Sequence, residues 1–349
     1  MVRQTRRYFR YQSGKGLQYS SGISFSPSID VSRITHNGTT TATVVTRKPH
    51  KFIVGTKIVI EDVVVSSGSA APYTTPPSNP YFVVTSVPND TTFTYTTNGT
   101  PTDLTPGGFV NLFVYEWTDA VVRCGMFDDQ NGVFFEYDGQ SLHCVRRNST
   151  KQLGGTVNVT NKSSRITGVN TVFTRQISAG NLIVIRGMTY KVIAVNNDTS
   201  IDVSPAYRGT TRTGIVVTKT EDLRTPQSQW NLDVCDGTGP SAFNLNLNRM
   251  QMAYIDYSWY GAGKVRYGFK GTNGKVIYVH EYIHNNRETE AYMRSGNLPA
   301  RYEVRNGANP TYAPSVYHWG ASVIMDGAFE DDRAISNRAA ILFKQAAWR

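Results

Sequence analysis

The sequence is poor in cysteine and lacks any Cys-x-x-Cys pair. Its three cysteines, Cys124, Cys144 and Cys235, stand singly. They predict neither a disulfide framework nor a thiolate zinc site, so we expect reduced residues in a core. No apolar run approaches the roughly 18 residues of a membrane helix, and the N-terminus is too basic and aromatic for a signal peptide. We therefore expect no membrane partner and a cytoplasm-like compartment of synthesis.

Charged residues, at 18%, and good helix formers are also scarce, whereas Thr, Asn, Gly, Ser and Tyr are plentiful. This composition is typical of strands joined by turns. A chain of 349 residues is long enough to bury a substantial core, in one large domain or in two to three small ones. The composition predicts an all-β fold.

The net charge of +10 is weakly clustered along the chain. Its densest part is the N-terminal arm, residues 1–16, in which Arg3, Arg6, Arg7 and Arg10 stand among aromatic residues. Such an arm could bind phosphate and stack on bases, or it could dock onto a neighbouring subunit. Because the signal is generic, nucleic acid is the less favoured partner.

Two segments resemble each other, and each reads as strand, turn, strand, Asn-Asp turn, strand. The alignment places Gly55 on Gly180 and Asn89 on Asn197. Apolar positions then coincide: Ile58, Val59 and Ile60 with Ile183, Val184 and Ile185, and Val84, Phe93 and Tyr95 with Val192, Ile201 and Val203. We interpret the two segments as copies of one small β-barrel.

The two copies interrupt a longer series of short strands and turns, which predicts a discontinuous β-sandwich or jelly-roll-like scaffold. The scaffold is assigned to residues 1–40, 99–154 and 219–330, and the barrels to 41–98 and 155–218. A Ser/Pro-rich loop at 66–80, which contains Tyr73, is predicted to be exposed and to make contacts. The last segment, 331–349, has helix-like spacing and is interpreted as a helix or a docking segment.

The stretch "VIYVHEYIH" at 276–284 contains the zinc-protease pattern H-E-x-x-H, formed by His280, Glu281 and His284. A zinc protease needs both histidines one helical turn apart, so that their rings converge on the metal. Here the neighbours are β-branched or aromatic and a "GTNG" turn precedes them, which predicts a strand. In a strand the two histidines lie roughly 13 Å apart, too far to share one zinc ion.

The other local patterns give no better prediction of chemistry. "DDQNG" at 128–132 reads as a hairpin turn rather than a calcium loop, and "DGTGP" at 236–240 lacks the pattern of a phosphate loop. No serine or cysteine stands in a nucleophile elbow. We therefore expect no enzyme, no cofactor and no metal, although a glycan hydrolase with widely separated carboxylates stays open as an alternative.

A series of ordered segments resembles a known family. They are "GMFDDQNGVFFEYDG", "QSQWNLDVCDGTGPS", "MQMAYIDYSWYGAGKVRYGF", "VIYVHEYIHNN", "TEAYMRSGNLPARYEV" and "HWGASVIMDG". In this order they resemble virion structural proteins of tailed phages, especially the contractile-tailed phages of cyanobacteria and other marine bacteria. Similar segments occur in structural proteins of large algal viruses. The resemblance covers most of residues 110–330.

The resemblance implies a non-enzymatic protein of a virus particle, made in the host cytoplasm and assembled in several copies with other virion proteins. The inserted units also resemble small β-domains of phage tail, fibre and baseplate proteins. A tail, baseplate or neck component is the leading expectation. A minor capsid or decoration protein on the head and a carbohydrate-binding module for host attachment are the alternatives, so host glycan stays an open partner.

Arg and Tyr residues are the best candidates for contacts with partner subunits, because both are enriched in protein interfaces. Beyond the arm arginines and Tyr73, the candidates fall in two segments. They are Tyr257, Trp259 and Tyr260 in the first, and Arg287, Tyr292, Arg294 and Arg301 in the second. The alternative interpretation is that the first group fills the sandwich and the second lies in solvated loops.

Overall fold

A computed structural model describes residues 1–12, 14–65, 68–102, 110–260 and 262–325. The described chain contains 24 strands, and its longest helix has four residues, so the predicted all-β fold is confirmed. The first strands are β1 (Val2–Gln4), β2 (Gly16–Ser24), β3 (Ile29–His36), β4 (Thr41–Thr46), β5 (Lys57–Glu61), β6 (Phe82–Asn89), β7 (Thr92–Thr96), β8 (Asn111–Val114), β9 (Ala120–Phe127), β10 (Gly132–Tyr137) and β11 (Leu142–Asn148).

The second half of the chain continues the alternation of strand and turn. Its first elements are β12 (Thr156–Val159), β13 (Arg165–Val169), the short helix α1 (Phe173–Gln176), β14 (Leu182–Ile185), β15 (Met188–Asn197), β16 (Ser200–Ser204), β17 (Arg212–Ile215) and β18 (Val217–Lys219). They are followed by β19 (Glu221–Pro226), a 3-10 helix (Gln227–Gln229), β20 (Gln251–Ser258), β21 (Lys264–Lys270), β22 (Val276–Ile283), β23 (Ala300–Asn306) and β24 (Tyr317–Met325).

Two antiparallel sheets form the sandwich. One has the strand order β1-β23-β9-β10-β11-β19, and the other has the order β22-β21-β20-β2-β24. Side chains from the facing surfaces interdigitate, as the ring centroids of Phe135 and Phe269, 4.8 Å apart, show. The hydroxyl of Tyr267 donates a hydrogen bond to the Val145 carbonyl across the gap, at 2.6 Å. A single continuous core therefore joins the sheets.

All three cysteines are buried and free, as expected of reduced core residues. Cys124 and Cys144 point from β9 and β11 into the core between the sheets. Cys235 lies in the segment between β19 and β20, where burial raises the pKa of its thiol to about 12. The thiols are thus protonated near neutral pH, which suits packing rather than nucleophilic chemistry.

The first inserted unit is a closed barrel with the strand order β3-β4-β7-β6-β5-β8. It begins at Ile29 and ends at Val114, so the predicted limits of 41–98 were too narrow. The strands β3 and β8, which pair with each other and close the barrel, were not included in the sequence alignment of the two copies, and short segments connect them to the sandwich strands β2 and β9. Their side chains, such as Ile34 and Leu112, join the barrel interior to the sandwich core.

The second unit is a seven-stranded, barrel-like sheet with the order β17-β12-β13-β16-β15-β14-β18. Its strands run from Thr156 to Lys219, close to the predicted limits of 155–218. It has a hydrophobic core of its own, centred on residues such as Phe173, Ile183 and Ile201. The N–H of Leu153 donates to the carbonyl of Val217 at 2.9 Å, so the two ends of the unit lie side by side.

The aligned positions of the two units have the same backbone geometry. Gly55 and Gly180 both adopt φ +93, a left-handed conformation that favours glycine. Their N–H groups donate to the aligned carbonyls of Val84 and Val192, at 2.9 and 2.8 Å respectively. Asn89 accepts the N–H of Thr91 at 3.0 Å, and Asn197 accepts that of Thr199 at 2.9 Å. The internal repeat is therefore structural.

The described part of the 66–80 loop, from residue 68 onward, is partly anchored to the first barrel. Tyr73 is fully buried rather than exposed, and its carbonyl accepts a hydrogen bond from Tyr95 at 3.1 Å. Thr75 donates its N–H to the Ile60 carbonyl at 2.9 Å and receives the Ile60 N–H on its hydroxyl at 2.8 Å. The predicted C-terminal segment, 331–349, lies outside the described residues. Within the described ranges, no helix has the length and apolarity to span a membrane.

Candidate interaction surface

The H-E-x-x-H pattern lies on an extended strand, as predicted. His280 and Glu281 belong to β22, where His280 stands opposite Tyr267 of β21. His284 follows the end of the strand. The two histidines have different backbone partners: the His280 Nδ1 accepts the N–H of Asn231 at 3.3 Å, and the His284 Nδ1 donates to the Gly263 carbonyl at 2.7 Å. The pattern thus serves packing and local hydrogen bonding.

Both imidazoles are buried among aromatic rings. His284 stacks on Tyr292 at a centroid distance of 4.0 Å, and His280 meets Tyr282 edge-on at 4.6 Å. Burial lowers the pKa of His280 to about 4 and also lowers that of His284. Both side chains are therefore neutral at pH 7. Among the described residues, no group of three or more His, Cys, Asp or Glu side chains is arranged to hold a metal ion.

The N-terminal arm is docked along the sandwich. Its strand β1 pairs with β23 at the edge of the six-stranded sheet. Farther along, the Phe9 N–H donates to the Leu298 carbonyl at 2.9 Å. The Tyr11 N–H donates to Asn297 Oδ1 at 2.7 Å, and the Tyr11 hydroxyl accepts the N–H of Trp259 at 2.9 Å. The arm is therefore held by backbone pairing at one end and by aromatic packing at the other.

Several predicted interface residues form the seat of this arm. Tyr11 packs against Tyr257 and Trp259, at centroid distances of 6.4 and 5.8 Å. The hydroxyls of Tyr257 and Tyr292 donate to the carbonyls of Gly296 and Ser258, at 3.0 and 2.7 Å. Tyr257 and Tyr292 are buried, and Trp259 is half-buried. The prediction that Tyr73, Tyr257 and Tyr292 face a partner was wrong, because contacts within the chain bury all three side chains.

Arg301 is also buried, in an ionic cluster on the outer surface of the six-stranded sheet. Arg123 of β9 binds Glu136 of β10 through Nε at 2.5 Å and Glu303 of β23 through a terminal nitrogen at 2.8 Å. Arg301 binds Glu303 and reaches Asp129 at 3.0 Å. The predicted role of Arg301 in an exposed interface is corrected accordingly. Sequence reasoning missed this cluster because Glu303 of β23 lies 180 residues after its partner Arg123 of β9.

The remaining predicted interface residues are exposed. They are Arg3, Arg6, Arg7 and Arg10 on the docked arm, and Tyr260, Arg287 and Arg294 in the turns beyond β20 and β22. Arg3 contacts the His318 ring at 3.1 Å, and Arg294 reaches the Thr218 hydroxyl of the second unit at 3.3 Å. The structure therefore brings the arm and the 285–302 segment together with each other, while leaving most of the arginine side chains outward.

Sequence reasoning missed a group of exposed apolar side chains on the outer side of the five-stranded sheet. We call it the open face and define it as Met252 of β20, Gly22 of β2, and Tyr317, Trp319 and Ile324 of β24. The exposed fractions of Trp319, Ile324 and Met252 are 60%, 56% and 41%. The Trp319 side chain lies over Gly22, where an added Cβ would lie 3.6 Å from the Trp319 Cβ, an ordinary van der Waals distance. This position places the large ring over β2.

A signal for the open face exists in the sequence, but it is ambiguous. In "YHWGASVIM" an alternating pattern would place Tyr317, Trp319 and Ala321 on one side. The bulge near Gly320, whose φ is +130, shifts the alternation, so that Ser322 and Ile324 join Trp319 on the outer side.

Comparisons with protein-family models, with curated proteins and with solved structures gave no match.

Proposed function

We propose that the chain is a non-enzymatic structural protein of a phage particle, assembled in several copies as part of the tail, baseplate or neck. The observation that carries this proposal is the open face. Aromatic residues and methionine are enriched where proteins bind proteins, and contiguous exposed apolar patches mark such sites on soluble proteins. A surface that leaves Trp319 and Ile324 more than half exposed is best explained as one that a protein partner covers.

The position of the resembling segments supports the same proposal. "GMFDDQNGVFFEYDG" contains the end of β9 and all of β10, "MQMAYIDYSWYGAGKVRYGF" contains β20 and most of β21, and "VIYVHEYI" forms β22. These segments therefore contribute to both sheets of the sandwich. In this proposal the sandwich supplies a rigid body, and the two barrel units supply additional surfaces for other virion proteins.

Labelling of intact particles tests the proposed function. Antibodies raised against the purified chain, applied to particles of the virus that encodes it, should mark regularly spaced positions in electron micrographs. Label on the tail, baseplate or neck is the expected result, whereas label on the head would favour a decoration protein. The proposal fails if mass spectrometry of purified particles detects the other structural proteins and not this chain.

The Trp319 ring supports a second candidate function, binding of a host glycan. An exposed aromatic ring that rests on a sheet surface is a suitable stacking platform for a sugar, because a pyranose presents an apolar face. A glycan array probed with the native chain and with Trp319→Ala tests this candidate. Binding that disappears in Trp319→Ala but persists in Tyr260→Ala, which removes another exposed ring, would favour attachment to a host surface.

A further inference from the structure

The four outer strands of the sandwich differ in how their free edges are protected. An unpaired edge strand can pair with another chain, so proteins usually cover, shorten or charge such edges. β1 is only three residues long. β19 has the sequence EDLRTP, in which charges and a terminal proline discourage pairing. These two edges of the six-stranded sheet therefore have recognisable protection.

The β22 edge of the five-stranded sheet is covered by residues 231–233. The Asn231 side chain accepts the N–H of Glu281 and donates to the Glu281 carbonyl, both at 2.9 Å. The carbonyl of Val279 accepts the N–H groups of Leu232 and Asp233, both at 3.1 Å. The outward backbone groups of Glu281 and the Val279 carbonyl, in the second half of β22, thus have partners within the chain.

The opposite edge, β24, has none of this protection within the described residues. Its sequence, YHWGASVIM, contains no Asp, Glu, Lys or Arg, and most of its residues are exposed. β2 pairs with one side of β24, and no described residue pairs with the other side. Because pairing uses only one side of a strand, every second residue of β24 points its N–H and C=O away from the sheet.

The bulge at Gly320 divides the strand. The Gly320 carbonyl accepts hydrogen bonds from the hydroxyls of Ser21 and Tyr302, at 2.9 and 3.0 Å, which fixes the bulge against the body. Beyond it, Ala321 to Met325 pair with β2 in continuous register. This stretch is the straight part of the edge and the part that a further strand can join.

We propose that Ala321–Met325 pairs antiparallel with the same residues of a second copy, joining the two five-stranded sheets into one. Charge favours a second copy as the partner. The molecule carries a net charge of +10, but Ala321–Met325 contains no charged side chain, so two copies of this segment can meet without repulsion between like charges. A two-fold axis through the edge makes the contact self-complementary and closed. It also brings the two open faces together on one side of the merged sheet. This inference rests on the proposed function, since it names the partner of the assembling surface.

Cysteine cross-linking tests the pairing and reads its register. The native cysteines are buried, so a cysteine introduced on the edge is the accessible thiol. We would oxidise the single variants Ser322→Cys, Val323→Cys and Ile324→Cys of the full chain. Directly opposed residues in an antiparallel pair have Cβ atoms close enough for a disulfide. One position should give a covalent dimer in high yield and its neighbours less, while Ile193→Cys, on an exposed site of the second unit, should give none.

A charge substitution tests the same contact without cross-linking. Ile324→Lys places two like charges near the two-fold axis, so we expect the dimer dissociation constant to rise by roughly tenfold or more. Sedimentation equilibrium measures it. Ile193→Lys is the matched control, because Ile193 has a similar exposed fraction, 52% against 56%, and it should leave self-association unchanged. Circular dichroism would verify that both variants fold.

Two results would overturn the pairing. One is a native chain that stays monomeric up to roughly 100 µM, a concentration at which even weak specific dimers form, with no edge variant cross-linking above Ile193→Cys. The other is a monomer whose edge thiols resist alkylation, which would assign the edge to a segment of the same chain. If the purified chain pairs but is missing from particles, the proposed function fails and the pairing stands. If particles contain the chain but its edges do not pair, the pairing fails and the proposed function stands.

Discussion

At the residue scale, the buried ionic cluster is the feature most sensitive to single substitutions. Arg123 stands between Glu136 and Glu303, and Arg224 binds Glu136 from the other side at 2.6 Å. Burial alone would raise the pKa of Glu303, but Arg123 and Arg301 hold it below its usual value. The Glu303 carboxylate is therefore charged at neutral pH and depends on its arginine partners, because an unpaired buried charge is costly.

We expect Arg123→Leu to lower the free energy of unfolding by about 3 kcal/mol, because it removes one partner from each of two buried carboxylates. Urea denaturation followed by fluorescence measures this change. The control is Arg165→Leu, which breaks an exposed pair with Asp202 and should leave the unfolding midpoint nearly unchanged. Equal losses in the two variants would show that the cluster adds nothing beyond a surface ion pair.

Histidine burial predicts acid sensitivity. Burial lowers the pKa of His50, His280, His284 and His318, and that of His280 falls from 6.5 to about 4. Between these two pH values the unfolded chain binds a proton at position 280 that the folded chain does not. The free energy of unfolding should therefore fall as pH drops from about 6.5 to about 4.

The His280→Asn variant isolates one part of this acid sensitivity. Its side-chain oxygen can replace Nδ1 as the acceptor for the Asn231 N–H without titrating. We expect a shallower loss of stability below pH 6.5, measured by denaturation at a series of pH values. A native slope in His280→Asn would contradict the prediction.

At the element scale, a comparison of two glycines distinguishes the cost of backbone strain from the cost of steric crowding. Gly55 and Gly139 have nearly the same φ, +93 and +95. A Cβ on Gly55 would meet nothing within 4 Å, whereas a Cβ on Gly139 would lie 2.5 Å from the Trp117 ring and backbone. Trp117 is buried and donates its Nε1–H to the Ala120 carbonyl at 3.0 Å, so it has little freedom to move.

We expect Gly55→Ala to cost about 1 kcal/mol of unfolding free energy, the usual cost of a left-handed alanine. Gly139→Ala should cost about 3 kcal/mol, because overpacking adds to the same backbone strain. Thermal denaturation of the two variants side by side measures the difference. If both variants lost the same stability, the Trp117 contact would have to relax without cost.

Local signals explain which elements could be predicted from sequence. The Asn89 and Asn197 turns, the alignment of Gly55 with Gly180 and the strand at His280 depend on neighbouring residues, so alternation and turn chemistry were sufficient to find them. The strands β3 and β8 were not assigned to the first barrel, because sheet membership depends on distant partners. The prediction of interface residues from residue type was wrong for Tyr257 and Tyr292. The surface on which the N-terminal arm of the same chain packs has the same residue types as a contact between subunits.

At the scale of the whole molecule, the two related units are attached in different ways. The first barrel shares one core with the sandwich, where Phe52 packs against Tyr312 at a centroid distance of 6.0 Å. The second unit has a separate core. Its contacts with the sandwich include hydrogen bonds, such as the one from Gln130 to the Gly187 carbonyl at 2.8 Å. The same small fold thus serves once as part of the scaffold and once as an attachment.

This difference predicts that the second unit can be removed without unfolding the rest. Gln152 and Thr218 already form an antiparallel bridge, and the Lys219 N–H donates to the Lys151 carbonyl at 2.8 Å. An Asn-Gly turn that replaces residues 153–217 would therefore close a hairpin with little change of geometry. We expect the shortened chain to unfold cooperatively. Its free energy of unfolding should lie within roughly 1 kcal/mol of the value for the same residues in the native chain.

Denaturation with two probes tests this prediction, because fluorescence from Trp117 and Trp230 reports on the sandwich, and circular dichroism reports on all strands. The counterpart deletion removes residues 41–98 of the first barrel and takes Phe52, Val84 and Phe93 out of the shared core. That variant should fail to fold cooperatively, because the sandwich side of the core would be left open to water. If both shortened chains folded equally well, the shared core would not make the first barrel necessary for folding, and this prediction would be wrong.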